Sequence, residues 1–341
     1  VSWPTFWTKK NWQARLLWPL SKLVAWEALR RLNKFQRTPP ARISAAKVIV
    51  VGNLVVGGSG KTPLIIWLTK ALQQQGLQVG IVSRGYGGQA SQWPQWVDAE
   101  SDARLVGDEP LLLAQTLQVP VAVSPKRAEA IALIENRQAC DVIISDDGLQ
   151  HYAMARDIEI VVVDAQRQFG NQYCLPAGPL REPLGRLSNV DAVVINGGNQ
   201  LELSQKWRRR FAGELPPRFA MELRPSVFRN LHSPQMTQAV DYFSDSAVSS
   251  IAGIGNPQRF FDTLQPYVAE QDTQPLADHH AYTETQLQGF VGDKPLIMTA
   301  KDAVKCQAFA QQRQAKNFWA LEVETIVAPE LMTLILQKLQ N

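Results

Sequence analysis

Eight residues, Val55-Val56-Gly57-Gly58-Ser59-Gly60-Lys61-Thr62, have the types and spacing to hold a triphosphate. Glycines let successive backbone N–H groups close around anionic oxygens, and the helix that follows adds a favourable N-terminal dipole. In this Walker A pattern Lys61 reaches the β- and γ-phosphates and Thr62 offers its hydroxyl to Mg²⁺. The usual first glycine is Val55 here, so Gly57 and Gly58 must supply the loop's freedom. A second chemical feature is Val142-Ile143-Ile144-Ser145-Asp146-Asp147, an apolar run ending in two carboxylates. It fits a Walker B strand that carries an acid to the metal. Neighbouring strand residues face opposite ways, so one of Asp146 and Asp147 is expected to meet Mg²⁺ directly. The expected ligands are therefore ATP and Mg²⁺.

The elements that must position these groups are legible as short apolar runs. Lys47–Val51 leads into the glycine loop, and Pro63–Gln75 reads as the helix after it. Val79–Ser83, Val119–Val123, Val142–Ser145, Ile158–Asp164 and Ala192–Asn196 follow at intervals that leave room for helices. Continuous Val/Ile runs alternating with helices predict a P-loop-type α/β fold, a mostly parallel sheet with helices on both faces. Ligands of such sheets lie beyond the strand carboxyl ends, where the polar clusters sit. Phe219–Leu223 and Val227–Leu231 flank Arg224-Pro225 and read as a two-stranded linker, a hairpin. Ser250–Ile254, Pro295–Thr299 and Phe318–Val323 predict a smaller C-terminal α/β domain. The expected division is 1–42, 43–215, 216–243 and 244–341.

The net charge of +4 conceals an asymmetry. Residues 1–42 carry nine Lys/Arg against the single acid Glu27, and also Trp3, Trp7, Trp12, Trp18 and Trp26. Tryptophan mixed with cations suits a membrane interface. Arg15, Lys22, Glu27, Arg30 and Arg31 interrupt every stretch long enough to span a bilayer, and no signal-peptide core exists. Trp12, Leu16, Leu20 and Leu23 share one helical face. The alternative is a helix packed on its own domain, and both readings can hold together. Three scattered cysteines argue against disulfide and zinc frameworks. No nucleic-acid motif accompanies the basic run.

With these features stand Gly52-Asn53-Leu54, Ser83-Arg84-Gly85-Tyr86-Gly87, Gly107-Asp108-Glu109-Pro110, Asp146-Asp147-Gly148-Leu149-Gln150-His151, Pro176-Ala177-Gly178-Pro179-Leu180-Arg181-Glu182, Asp278-His279-His280 and Thr299-Ala300-Lys301-Asp302-Ala303-Val304-Lys305. In this order they closely resemble the tetraacyldisaccharide 4′-kinase family, the lipid A 4′-kinases of Gram-negative bacteria. Ala300 departs from the family pattern, in which an acid precedes Lys-Asp. The resemblance implies transfer of the ATP γ-phosphate to the 4′-hydroxyl of an acylated glucosamine disaccharide 1-phosphate, at the cytoplasmic face of the inner membrane. It also implies that Asp108 and His279 form a base dyad, that Glu109 joins Thr62 at the metal, and that Asp146 and Asp147 take the Walker B position. Arg127 and Arg181 are candidate clamps for phosphate on ATP or on the lipid.

The rival readings are a soluble P-loop ligase or GTPase-like enzyme for a small molecule, and a membrane-bound nucleotide-sensing adaptor. The first leaves the Trp-rich basic segment without a purpose. The second leaves Asp108 and the histidine pair without one.

Overall fold

The computed structural model describes residues 3–200, 209 and 215–340. Val1 and most of 201–214, the end of the expected first domain, lie outside the described residues. The strands are β1 (Lys47–Gly52), β2 (Val79–Ser83), β3 (Gln95–Val97), β4 (Val121–Val123), β5 (Val142–Asp146), β6 (Ile158–Asp164), β7 (Ala192–Asn196), β8 (Arg218–Asn230), β9 (Thr237–Ala239), β10 (Ala247–Ala252), β11 (Glu270–Pro275), β12 (Leu296–Thr299) and β13 (Phe318–Val327). Among the described residues they form one sheet in the order β11-β10-β12-β13-β8-β7-β6-β1-β5-β2-β4-β3, with β9 beside β8. Pairing is parallel except at β3–β4, β8–β13 and β8–β9.

The Val/Ile runs of β1, β5, β6 and β7 are buried on both faces, as a doubly covered parallel sheet requires. On one face Ile49, Val51 and Ile144 pack with Leu64, Ile65 and Leu68 of the helix Lys61–Gln74. On the other, Val48, Val50 and Ile143 pack with Ile131 and Ile134 of the helix Arg127–Glu135. The second lobe repeats this with two smaller cores, one around Phe318 and Phe309 and one around Phe228 and Trp319.

The connection between the lobes differs from the predicted hairpin. Residues 218–230 form one uninterrupted strand, β8, because Pro225 sits where the pairing register shifts and no amide is needed from it. Its long antiparallel partner is the distant β13, with the short β9 along its last residues, so the two-stranded link joins segments about a hundred residues apart. After β13 the helix Glu330–Gln340 returns to the first lobe, burying Leu331 and Ile335 in that core. The last residues of the range 244–341 therefore pack on the first lobe.

The basic N-terminal segment folds as a long helix, Trp12–Arg37, capped by the Asn11 side chain on the Ala14 amide. Ala14, Ser21, Ala28 and Leu32 face the body, while Trp12, Leu16, Leu20, Leu23 and Trp26 point outward, Trp12 being 71% exposed and Leu16 70%. Trp3 and Trp7 behave differently. Their indole N–H groups donate to the backbone oxygens of Val56 and Pro176, both at 2.9 Å, so they anchor the segment to the protein. No described helix is long and apolar enough to cross a membrane.

Candidate active site

The glycine loop runs from the end of β1 to the helix starting at Lys61, the strand–loop–helix context a phosphate loop needs. Gly60 adopts φ +97°, and a side chain there would come within 2.3 Å of Asn196 Nδ2. Only glycine fits. The loop is held in shape by side chains from outside it. Asn53 Nδ2 donates to Gly57 O at 3.1 Å and to Ser59 Oγ at 3.2 Å, and Asn196 Nδ2 donates to Ser59 O at 3.1 Å. Arg259, from the second lobe, holds Asn196 Oδ1 at 2.7 Å and Asp164 at 3.0 Å.

Lys61 Nζ lies 3.7 Å from Asp147 Oδ1, beneath the loop, and Arg181 donates to Asp147 Oδ2 at 2.8 Å. The two acids at the end of β5 are pushed in opposite directions. Burial raises the Asp146 carboxyl to about 6, with the Glu109 charge adding to the rise against Lys61. Asp147 is also buried, but Lys61 and Arg181 outweigh that and bring it down to about 2. Asp147 has φ +48°, which turns it away from the strand direction of Asp146. Asp146 Oδ2 accepts from Ser83 Oγ at 3.0 Å, whereas its Oδ1 is buried with no hydrogen-bond partner.

An unpaired buried carboxylate oxygen fits a cation, and Mg²⁺ needs one or two carboxylates beside nucleotide phosphates. The described residues form no cluster of three or more His, Cys, Asp or Glu side chains that could hold a metal without such phosphates. Thr62 stands next to Lys61 in the first helical turn.

The second lobe meets this site at a cluster of charge. Asp108 and Glu109 open the helix Asp108–Thr116, where a helix N-terminus favours acids. His279 Nδ1 is 3.2 Å from both oxygens of Asp108, across 171 positions of chain. His279 has φ +59°, its N–H donates to Gly253 O at 3.2 Å, and the Tyr86 ring lies 5.1 Å from its own. Lys301 Nζ donates to Glu109 Oε1 at 2.9 Å and lies 3.3 Å from His279 Nε2. Lys305 Nζ lies 3.5 Å from Asp108 and 3.3 Å from Asp302. Asp302 is fully buried and accepts from the Gly253 amide at 2.9 Å, fixing the loop that His279 leans on. Burial opposes the Asp108 charge, but His279, Lys301 and Lys305 together hold its carboxyl well below the usual range. His280 faces elsewhere, toward Gln286 Oε1 at 2.9 Å.

The two arginines have distinct settings. Arg127 is buried and donates to Ser124 O at 3.2 Å and Asp146 O at 3.1 Å, securing the strand end behind the acids. Burial brings its guanidinium down to about 10, still cationic at neutral pH. Arg181 lines a cavity of about 430 Å³ with Gln150, Tyr152 and Glu182 on one side. The N-terminal helix forms the other side with Leu23, Val24 and Ala28 together with the charged Glu27 and Arg31, so an apolar strip lies among charged groups.

Lys301, Asp302, Lys305, Asn196, Arg259 and Asp278 were not singled out by reasoning from residue types. Asn196 ends β7, Asp278, Lys301 and Asp302 follow β11 and β12 closely, and Lys305 and Arg259 lie in the helices after β12 and β10, all toward the sheet edge where α/β folds bind ligands. That placement was the available signal.

The family model described as tetraacyldisaccharide-1-P 4′-kinase matches residues 13–340. The tetraacyldisaccharide 4′-kinase of Hydrogenovibrio crunogenus is 53% identical over 329 residues, covering 96% of this chain and 94% of that protein. That of Photobacterium profundum is 43% identical over 327 residues, covering 95% and 89%. The crystal structure of LpxK from Aquifex aeolicus in complex with ATP matches with TM-score 0.78 at 26% identity, over 96% of this chain and 99% of that one.

Proposed function

This chain belongs to the tetraacyldisaccharide-1-P 4′-kinase family, and from that premise we propose that it transfers the γ-phosphate of ATP to the 4′-hydroxyl of a tetraacylated glucosamine disaccharide 1-phosphate. The product is lipid IVA, an intermediate of lipid A biosynthesis. One observation carries the reading: the run Lys61–Asp147–Arg181 leads from the phosphate loop into the wall of a cavity lined by charged groups and in part by Leu23, Val24 and Ala28. A donor site for phosphate and a slot suited to an acylated sugar thus share a charged boundary.

In this reading Lys61 holds the β- and γ-phosphates, and Thr62, Asp146 and Glu109 would hold Mg²⁺, with Asp147 behind them. The ion would neutralise charge on the phosphate oxygens. Asp108 orients the acceptor hydroxyl and takes its proton late, which is all a loose phosphoryl transition state demands. A carboxylate held so low is a weak base at the outset. Its value lies in position, and His279 supplies that from the facing lobe. Arg181, with Gln150 and Glu182, receives the sugar, while Leu23, Val24 and Ala28 receive the start of an acyl chain. Arg127 acts through the strand end that carries Asp146.

Residues 43–215 are read as the kinase domain and 244–329 as the smaller domain, joined by β8 and β13. The exposed row Trp12, Leu16, Leu20 and Trp26, on a helix rich in Lys and Arg, supports docking on the cytoplasmic face of the inner membrane. Transfer of ³²P from labelled ATP to a panel of glycolipids tests the reading. Label is expected on acylated disaccharide 1-phosphates bearing a free 4′-hydroxyl. Nucleotide turnover that depends on a small carboxylate and ignores lipid would overturn it in favour of a ligase.

A further inference from the structure

Arg167, just after β6, takes no part in the chemistry above. Its backbone N–H donates to Asp164 Oδ1 at 2.9 Å, so the chain turns back over the strand end. The guanidinium then meets three neighbours. Its Nη2 donates to the backbone oxygen of Gly255 in the second lobe. The ring of Trp3 lies 5.5 Å away, in cation–π range, while the Trp3 indole holds Val56 O. Its Nη1 is buried without a hydrogen-bond partner, 3.6 Å from where a Cβ on Gly57 would stand.

That last nitrogen is the unexplained one. A buried donor left without an acceptor costs about 1–3 kcal/mol, more when charged, and arginine cannot escape by losing its proton. Two acids, Asp164 and Asp278, act on this guanidinium from a distance, yet neither hydrogen-bonds Nη1, and Lys301 lies 3.4 Å from Asp278 Oδ1. Asp164 is occupied by backbone amides through Oδ1 and by Arg259 through Oδ2. Gly57 is the third residue of the loop, on the stretch whose amides wrap the terminal phosphates of a bound nucleotide. An anionic oxygen there would supply the missing acceptor, and the guanidinium fork suits phosphate.

We propose that Arg167 is a clamp on the γ-phosphate, an arginine delivered in cis and set by lobe closure through Gly255. This rests on the reading of the loop as the ATP site. Lys61 would hold the terminal phosphate from inside the loop and Arg167 from outside it. An arginine serving only as a tether for Gly255 would leave nucleotide preference unaltered.

The test is binding of fluorescent ATP and ADP to the full chain and to Arg167→Ala, Arg167→Lys and Lys61→Ala, without acceptor lipid. One lost charge-assisted bond predicts ATP binding weakened about 10- to 100-fold in Arg167→Ala, with ADP changed less than about threefold. Arg167→Lys should fall between, keeping charge but not the fork, and it serves if the alanine variant fails to fold. Unchanged ATP affinity, or equal losses for ATP and ADP, overturns the assignment. Lys61→Ala separates the two readings. If it loses ATP while Arg167→Ala does not, only the clamp fails. If it binds ATP as well as the unmodified chain, the nucleotide site itself is misplaced and the clamp falls with it.

Discussion

Gly255→Ala tests whether the two lobes must touch for turnover. A methyl group built on Gly255 would stand 2.6 Å from the Gly58 amide nitrogen and 3.2 Å from Gly58 Cα, where ordinary contact begins at 3.4 Å. Gly255 is not among the left-handed glycines, so alanine suits its own backbone. Any strain therefore arises only where the lobes meet. Both obstructing atoms are main chain and cannot rotate aside, so the second lobe must retreat from the phosphate loop. Overpacking of this kind costs about 1–3 kcal/mol. Applied to the closed state, that lowers its population, and with it kcat, about 5- to 150-fold. A loss confined to closure should leave Tm within about 2 °C of the unmodified chain. The assay is kcat at saturating ATP and lipid, paired with a melting curve. Unchanged kcat would show that the contact is dispensable. A fall in Tm matching the fall in kcat would show that it belongs to folding and not to closure.

If Asp108 and His279 act as the proposed base dyad, Asp108→Ala and His279→Ala should each lower kcat about 10²–10⁴-fold with little change in ATP affinity, and the double variant should be scarcely worse than the poorer single one. Fully multiplicative losses in that cycle would mean independent roles, and a greater loss from His280→Ala would identify the other histidine. His151 is brought down to about 4 by burial and by Arg127, Arg156 and Arg84, so the unfolded chain binds its proton more tightly. Stability should then be full above about pH 6.5 and decline as pH falls toward 4, by under about 1 kcal/mol per unit given the ring's partial exposure. His151→Gln should flatten that decline in urea titrations, and an unaltered slope would place the titrating group elsewhere. Replacing Trp12, Leu16 and Leu20 with serine should weaken binding to anionic vesicles, and binding of the unmodified chain should fall with salt. Vesicle binding that resists both changes would leave the helix as a packing element only.

Much of the fold was legible because its strands are short, continuous Val/Ile runs, a pattern that local propensity and burial both favour. β2, β6 and β7 match their expected bounds, and the helix after the loop starts two residues early, at Lys61. Three strands were missed. Gln95–Val97, Thr237–Ala239 and Glu270–Pro275 are edge elements whose partner on one side supplies their stability, so composition carries little trace of them. The loop and the acids of β5 were readable locally. The pairing of Asp108 with His279 was not, since it spans 171 positions and depends on how the lobes face each other. It came from resemblance alone. Lys301 and Lys305 show the same limit, being ordinary helix residues until the fold sets them against Glu109 and Asp108.

The way β8 and β13 join the lobes has a mechanical consequence. Along Glu222–Val227 and Glu322–Ile326 the two strands are bonded to each other and much of the ribbon is bare of either core. Such a ribbon cannot swivel like a loop. Rotation of one lobe against the other must be taken up as extra twist, concentrated at the register shift opposite Pro225. Twist in a hydrogen-bonded ribbon is resisted elastically, so the link limits how far one lobe can turn against the other. A substitution that slackens the ribbon at Val323, beside the register shift, should therefore alter how readily the lobes part, read as a changed rate of product release with the phosphoryl step left as it was.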